Sequence, residues 1–165
     1  MPITRPLAVL ATVAALVSIA PAAAQAATTP SDTVSASETA RVWGPYYAPG
    51  KRAMTVGSLV AVGEDHGDLP TADTVKITGK LYDWTRDRST CGWAVFRITY
   101  KANGNNLPHK HRSIRDCSYR TAKPYSFTHP DVYQVELKVC AEGRAAKPSL
   151  NCLYAGTWKT LYLSK

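Results

Sequence analysis

The sequence predicts an all-β protein whose folded part is a single antiparallel β-sandwich, with an Ig-like arrangement or a small barrel as the alternatives. Three observations support this fold class: short segments of alternating apolar and polar residues, frequent glycine and proline between them, and an even number of cysteines. No segment after residue 26 has the periodicity of an amphipathic helix. About six or seven short strands at this spacing would enclose one core.

Residues 1–26 have the features of a cleavable signal peptide. Arg5 provides a positive start, residues 7–20 are apolar and uncharged, and Ala24-Gln25-Ala26 offers the small side chains that signal peptidase accepts. An uncut signal anchor is the alternative. The apolar run is too short to span a bilayer comfortably, so we expect a secreted, extracellular protein with no membrane insertion after cleavage.

Residues 27–40 predict a flexible leader, because small polar residues bury too little surface to offset the entropy lost on ordering. The β-sandwich domain is therefore expected to span residues 41–165. The formal net charge of the chain is +8, and it becomes +7 without Arg5. This charge predicts attraction to anionic polymers, although solubility alone would also explain it, because the basic residues are scattered.

Alternating or apolar segments of strand length define the predicted elements and their inward faces. The predicted strands cover residues 56–62, 73–82, 93–100, 133–139 and 153–163. The side chains expected to point into the core are those of Val75, Ile77, Gly79, Leu81, Ala94, Phe96, Ile98, Tyr100, Tyr133, Val135, Leu137 and Val139.

The four cysteines predict two disulfides, Cys91–Cys117 and Cys140–Cys152, chosen from three possible pairings. Asn103-Gly104 is a hairpin turn signal, and a hairpin centred on Gly104 places Cys91 opposite Cys117, because each lies 13 residues from that glycine. Cys140 and Cys152 would close the loop between two strands. Each closure is expected to stabilise the domain by roughly 3 kcal/mol.

Aromatic residues form two candidate binding sets. One precedes the first predicted strand, and the other shares one face of strand 153–163, since evenly spaced residues of a strand point the same way. An exposed set of this kind would stack on sugars or bases, whereas a buried set would belong to the core. The candidate binding residues are Trp43, Tyr46 and Tyr47 in the first set and Tyr154, Trp158 and Tyr162 in the second.

Pro108 cannot donate a backbone hydrogen bond, so the segment that follows it is expected at a sheet edge or a bulge. That segment contains His109 and His111, which share a face when extended and could act as a metal pair or as a general base. Basic neighbours would repel a cation, and no third ligand is evident, so an exposed basic loop is favoured. No nucleophile motif or phosphate loop is present, and we predict no catalytic residue, no metal and no cofactor.

The alanine-rich signal, the opening Val42-Trp43-Gly44-Pro45-Tyr46 and the segment Cys91-Gly92-Trp93-Ala94-Val95-Phe96 resemble those of small exported two-disulfide proteins of actinobacterial type. The resemblance covers most of the chain and implies export but no activity. The plan is also similar to that of small secreted protease inhibitors. In that reading the loop between Cys140 and Cys152, with Arg144 and Lys147, would be the reactive loop, but no inhibitor motif aligns.

The sequence thus predicts a monomeric, secreted, non-catalytic domain that binds an anionic or sugar-containing polymer of the cell surface. A secreted protease inhibitor and a small histidine-dependent hydrolase are the alternatives.

Overall fold

A computed structural model describes residues 39–165. The predicted signal peptide and residues 27–38 of the predicted leader lie outside the described residues. The described part forms strands β1 (Arg41–Tyr47), β2 (Ala53–Glu64), β3 (Ala72–Asp83), β4 (Thr90–Tyr100), β5 (His109–Asp116), β6 (Ala122–Gly143) and β7 (Lys159–Leu163), a 3-10 turn (Pro49–Lys51) between β1 and β2, and a helix α1 (Leu150–Tyr154) between β6 and β7.

The seven strands belong to one sheet with the order β1-β2-β3-β6-β4-β5, and β7 pairs with β6. Every pair of neighbouring strands is antiparallel. The all-β antiparallel fold class predicted from the sequence is therefore confirmed, and both predicted disulfides are present.

Strand β6 joins the two halves of the sheet. Its first part pairs with β3 and its second part pairs with β4. The change occurs at Val132, which pairs both with Ala72 of β3 and with Tyr100 of β4. The halves face each other across the core, because Phe96 of β4 lies 6.2 Å from the Trp43 ring of β1 and 5.1 Å from the Phe127 ring of β6.

The core consists largely of the residues that alternation pointed inward. Val75, Ile77 and Leu81 of β3 are fully buried, as is Phe96 of β4. The same burial extends along the second part of β6, where Val135 and Leu137 are fully buried. The predicted inward faces are confirmed at these positions, since a strand buries alternate residues on one side of the sheet. Gly79, Tyr100 and Tyr133, which the alternation also placed inward, are only half-buried. A register shift between Thr99 and Tyr100 interrupts the alternation, so that Val132 rather than Tyr133 is buried.

Two glycines opposite each other in β2 and β3, Gly57 and Gly79, leave room for aromatic rings. A Cβ on Gly57 would collide with the indole of Trp43, and a Cβ on Gly79 would lie 2.5 Å from the Oη atom of Tyr125. The rings therefore lie against bare backbone, which is a close approach that only glycine permits.

The β4–β5 hairpin has the predicted register. Its pairs run from Gly92↔Asp116 to Thr99↔His109, and the Cys91–Cys117 disulfide closes its base. Strand β5 is at the end of the strand order, so the expectation of a sheet edge after Pro108 is also confirmed.

The prediction of a strand over residues 153–163 is wrong for the first half of that segment. The residues around Cys152 form the helix α1, and β7 begins only at Lys159. Ser149 supplies the N-cap, because its Oγ accepts a hydrogen bond of 3.2 Å from the Cys152 backbone N–H. The expectation that no helix follows the signal is corrected by this element, which was overlooked because five residues are too few to show a periodicity.

Candidate functional site

Two of the six predicted binding aromatics are core residues. Trp43 is 7% exposed and Tyr162 is 1% exposed. The Tyr162 hydroxyl donates a hydrogen bond of 2.6 Å to the Glu64 carboxylate. Burial, and then the hydrogen bond to Glu64, raise the pKa of Tyr162 to about 12. Neither ring is available to stack on a ligand.

Tyr46 and Tyr47 line a cleft of about 870 Å³. Its walls are the end of β1 with the 3-10 turn, the second part of β6, and the link from α1 to β7. Tyr47 is 43% exposed, and its ring centroid lies 5.8 Å from that of Trp84 and 5.9 Å from the Lys51 Nζ atom. The Tyr47 ring therefore contacts Trp84 and Lys51 but remains accessible to solvent in the cleft.

The cleft exists because β7 is short. Its pairing with β6 ends at Leu137↔Lys159, so the later β6 residues have a strand partner only on the β4 side. On the open side, the Ala141 carbonyl accepts a hydrogen bond of 2.9 Å from Arg52 Nη2. Strand β6 thus presents a backbone edge along the floor of the cleft.

The cleft has a positive lining. Arg52, Lys138 and Lys159 are its cations, and Glu142 is its acid. The Glu142 carboxylate accepts hydrogen bonds of 2.7 Å from the Ser149 backbone N–H and of 2.6 Å from the Ser149 Oγ. Ser149 thus satisfies part of the hydrogen-bonding capacity of the Glu142 carboxylate. Among the cations, Arg52 and Lys138 each donate to a backbone carbonyl, and Lys159 is exposed.

A second group of side chains lies on the outer face of β4, and we name it the Trp158 cluster. It consists of Trp158, His111, Tyr154, Arg97 and Lys138. The Trp158 ring centroid lies 4.6 Å from the Arg97 guanidinium, 4.5 Å from Lys138 Nζ and 5.7 Å from the His111 ring. Since these groups already surround the indole, Trp158 is not a free stacking platform, whereas Tyr154 is 64% exposed.

Lys138 connects the Trp158 cluster to the cleft. It lines the cleft, lies over the Trp158 ring and donates a hydrogen bond to the Ala155 carbonyl. Burial, and then the charge of Arg97, lower the pKa of Lys138. Arg97 itself is paired with Glu136 at 2.6 Å, whereas the ammonium of Lys138 has no carboxylate partner among residues 39–165.

The two histidines of β5 lie side by side, with ring centroids 5.4 Å apart. Burial, followed by the charges of His109, Arg97 and Lys138, lowers the pKa of His111, and its buried Nε2 atom has no hydrogen-bond partner. Within residues 39–165, no three His, Cys, Asp or Glu side chains come together as a metal site. The hydrolase alternative, with either histidine as general base, stays a prediction.

The loop proposed for protease inhibition is bound to its neighbours. The Arg144 N–H donates a hydrogen bond of 2.6 Å to the Ser89 carbonyl, and Arg115 donates to the Ala145 carbonyl. Lys147 is exposed on the same segment. The inhibitor alternative also stays a prediction, and nothing in this geometry favours it over the cleft.

Sequence reasoning missed the cations of the cleft. Arg52 and Ala141 are 89 residues apart and meet only because the connection between β1 and β2 lies against the second part of β6 in the folded protein. No recognisable motif includes Arg52, Lys138 or Lys159, and the adjacent pair Lys51-Arg52 alone does not indicate a binding site.

No family model, no curated protein and no solved structure matches the chain. Among residues 39–165, no helix has the length and apolar character needed to cross a membrane. What the protein binds has to follow from the chemistry of its own side chains.

Proposed function

We propose that this is a secreted, non-catalytic protein that binds an anionic, sugar-containing polymer outside the cell, with the cleft as its binding site. The observation that carries the proposal is the convergence on the cleft of an accessible ring, Tyr47, with three cations, Arg52, Lys138 and Lys159. Aromatic faces bind the apolar faces of sugar rings, and ammonium and guanidinium groups bind carboxylates and phosphates.

The dimensions and the charge of the cleft support this ligand class. A volume of about 870 Å³ is in the range of sites that enclose a small ligand or a short stretch of polymer. The exposed basic residues of β5, Lys110 and Arg112, add positive charge outside the cleft. Their field would accelerate the encounter with a polyanion and would weaken as salt is added.

Export is supported by two independent features. Both disulfides are of the kind that persists in oxidising compartments, and residues 1–26 have the organisation of a signal peptide. Sequencing the N-terminus of the protein recovered from culture medium tests export. It is expected to begin at Ala27, and recovery of only uncut, cell-associated chain would contradict it.

The binding experiment measures retention on an immobilised acidic polysaccharide, a neutral polysaccharide and single-stranded DNA, from low to high salt. The test variant is Tyr47→Ala combined with Lys159→Gln, since both side chains line the cleft and both are exposed. The matched control is Lys76→Gln with Lys80→Gln, which removes two exposed charges from β3, away from the cleft.

Retention on the acidic polysaccharide is expected to exceed that on DNA and to persist in part at high salt, because stacking on Tyr47 does not depend on charge. The cleft variant is expected to lose the salt-resistant part and the control to keep it. Equal losses in both variants would reduce the binding to nonspecific charge, and no retention at low salt on any polymer would overturn the proposal.

A further inference from the structure

A second cavity, of about 540 Å³, lies at the base of the β4–β5 hairpin, beside the Cys91–Cys117 disulfide. Arg86 and Arg88 of the β3–β4 loop, Arg144 after β6 and Tyr119 after β5 line it. We name it the arginine pocket. Three arginine residues from two separate segments therefore line one small volume.

The segments that carry these side chains are fixed to one another. The Arg144 N–H donates to the Ser89 carbonyl at 2.6 Å, and the Arg120 N–H donates to the Asp83 carbonyl at 2.7 Å. The disulfide ties the start of β4 to the residue just after β5. Backbone hydrogen bonds and a covalent bond thus hold the loops in place before any ligand binds, which reduces the ordering cost of binding.

Asp87 is the acid of the arginine pocket, and its carboxylate is satisfied within its own loop. It accepts hydrogen bonds of 2.9 Å from the Ser89 N–H and of 3.2 Å from the Thr90 hydroxyl. It makes no ion pair with Arg86, Arg88 or Arg144 in the described part of the chain. The guanidinium groups are therefore free of carboxylate partners, and the lining keeps an excess of positive charge.

Tyr119 adds a directed hydroxyl to the arginine pocket. Its Oη atom accepts a hydrogen bond of 3.4 Å from Arg86 Nε, and the Arg120 guanidinium lies 5.2 Å from its ring centroid. Because the phenol oxygen accepts from Arg86, its own O–H is available as a donor. The hydrogen bond from Arg86 lowers the pKa of Tyr119, the direction expected for a phenol beside cations.

We infer that the arginine pocket is a binding site for a phosphate or sulfate ester, such as one carried by a sugar. Guanidinium forks match the oxygens of tetrahedral oxyanions in pairs, and the volume exceeds that of the anion alone, so it has space for an attached sugar ring. The inference does not depend on the cleft, which lies against different residues.

The test is an NMR titration of the folded protein at constant ionic strength, with a hexose 6-phosphate, a hexose 6-sulfate and acetate as probes. Saturable shifts of the arginine Nε–Hε signals are expected with the first two probes. Weaker shifts are expected with acetate, which binds guanidinium groups but lacks the sugar ring. The variant Arg88→Gln with Arg144→Gln is expected to weaken binding by about tenfold or more, since charge-assisted hydrogen bonds are lost.

Two controls keep the outcome interpretable. Lys147→Gln removes an exposed charge from the segment of Arg144 without touching the pocket lining, and it should bind as the unaltered protein does. Tyr47→Ala alters the cleft alone. It therefore distinguishes a loss of ester binding in the arginine pocket from a loss of polymer binding in the cleft. Stronger binding of the hexose phosphate or of the hexose sulfate would show which of the two anions the pocket prefers. Equal shifts with acetate, or unchanged binding by the double variant, would overturn the inference.

Discussion

The two faces of strand β4 are both buried, but by different means. On the inner face, Ala94, Phe96 and Ile98 meet apolar and aromatic residues from β1, β3 and β6. On the outer face, Trp93 and Val95 form a small cluster with Cys152 under α1 and Trp158. The inner cover is the hydrogen-bonded sheet itself, whereas the outer cover is a short segment of chain.

This difference assigns separate roles to the two faces. A helix of five residues has no stability of its own, so α1 is held by the Cys140–Cys152 disulfide and by its side-chain contacts. We therefore expect substitutions on the inner face, where the larger core cluster lies, to cost more free energy of unfolding than substitutions on the outer face. On the outer face, Lys138 belongs both to the Trp158 cluster and to the lining of the cleft.

The largest expected effect is on the inner face. Phe96→Ala should reduce the free energy of unfolding by about 3–5 kcal/mol, because the ring is fully buried among Trp43, Tyr125 and Phe127 and would leave a cavity. Denaturant unfolding measures the loss. Trp158→Ala removes a larger ring from the half-buried outer cover and should cost less. An equal or larger cost for Trp158→Ala would break the distinction between the faces.

Removing the Cys140–Cys152 disulfide should have the next largest effect on the free energy of unfolding. Cys140→Ser with Cys152→Ser opens a loop of 12 residues and should cost about 3 kcal/mol, together with faster hydrogen exchange in α1. Cys91→Ser with Cys117→Ser should cost a similar amount and leave exchange in α1 unchanged. If both double variants accelerate exchange in α1 equally, the helix does not depend on its own disulfide.

Acidification should destabilise both faces by a smaller amount. Burial is the main cause that lowers the pKa of His129, beside Tyr100 on the inner side, and of His111 in the Trp158 cluster, from the ordinary 6.5. Each of these imidazoles therefore binds a proton more tightly in the unfolded chain than in the folded protein. The contribution of the two neutral imidazoles to the free energy of unfolding is therefore fully present above pH 6.5. It decreases as the pH falls from 6.5 toward the folded-state pKa values.

Unfolding midpoints measured from pH 7.5 to pH 5 test this dependence on acid. His111→Gln and His129→Gln should each flatten the profile, and the double variant should flatten it most. His66, which is exposed and hydrogen-bonded to the Lys165 carbonyl, provides the matched control as His66→Gln. A rise in stability on acidification would contradict the predicted sign.

The smallest expected effect is that of Tyr154→Ala. Its ring is 64% exposed at the end of α1, so the free energy of unfolding should change by no more than about 0.5 kcal/mol. Leu150→Ala, at the exposed start of the same helix, is the comparison. A loss of about 2 kcal/mol for Tyr154 would mean that its contact with His111 holds the outer cover.

Local signals predicted much of the fold. Asn103-Gly104 was enough to fix the register of β4 and β5, because a tight turn leaves little freedom in pairing. The length of β6 was underestimated, since Pro124 and Pro130 indicate interruptions. Both lie in the part of β6 whose strand partner is β3 alone, so a residue without an N–H is tolerated there.

The candidate sites were harder to predict, because they are made by contacts between distant segments. The even spacing of Tyr154, Trp158 and Tyr162 is compatible with a strand, but the Ser149 cap and Gly156 separate these residues into a helix, a link and a strand. The cleft and the arginine pocket depend on how β6 crosses between the halves of the sheet. Arg52 belongs to no motif in the sequence, and Arg144 is notable there only as part of the loop of the inhibitor alternative.

The basic edge strand β5 also bears on self-association. The outer edge of a sheet exposes backbone groups that can pair with another molecule, and charged side chains oppose such pairing. Two copies that approached through β5 would bring Lys110 and Arg112 of each chain close together, and like charges would repel. A polyanion that neutralised these side chains would remove the repulsion, so bound polymer would favour lateral growth of the sheet from one molecule to the next.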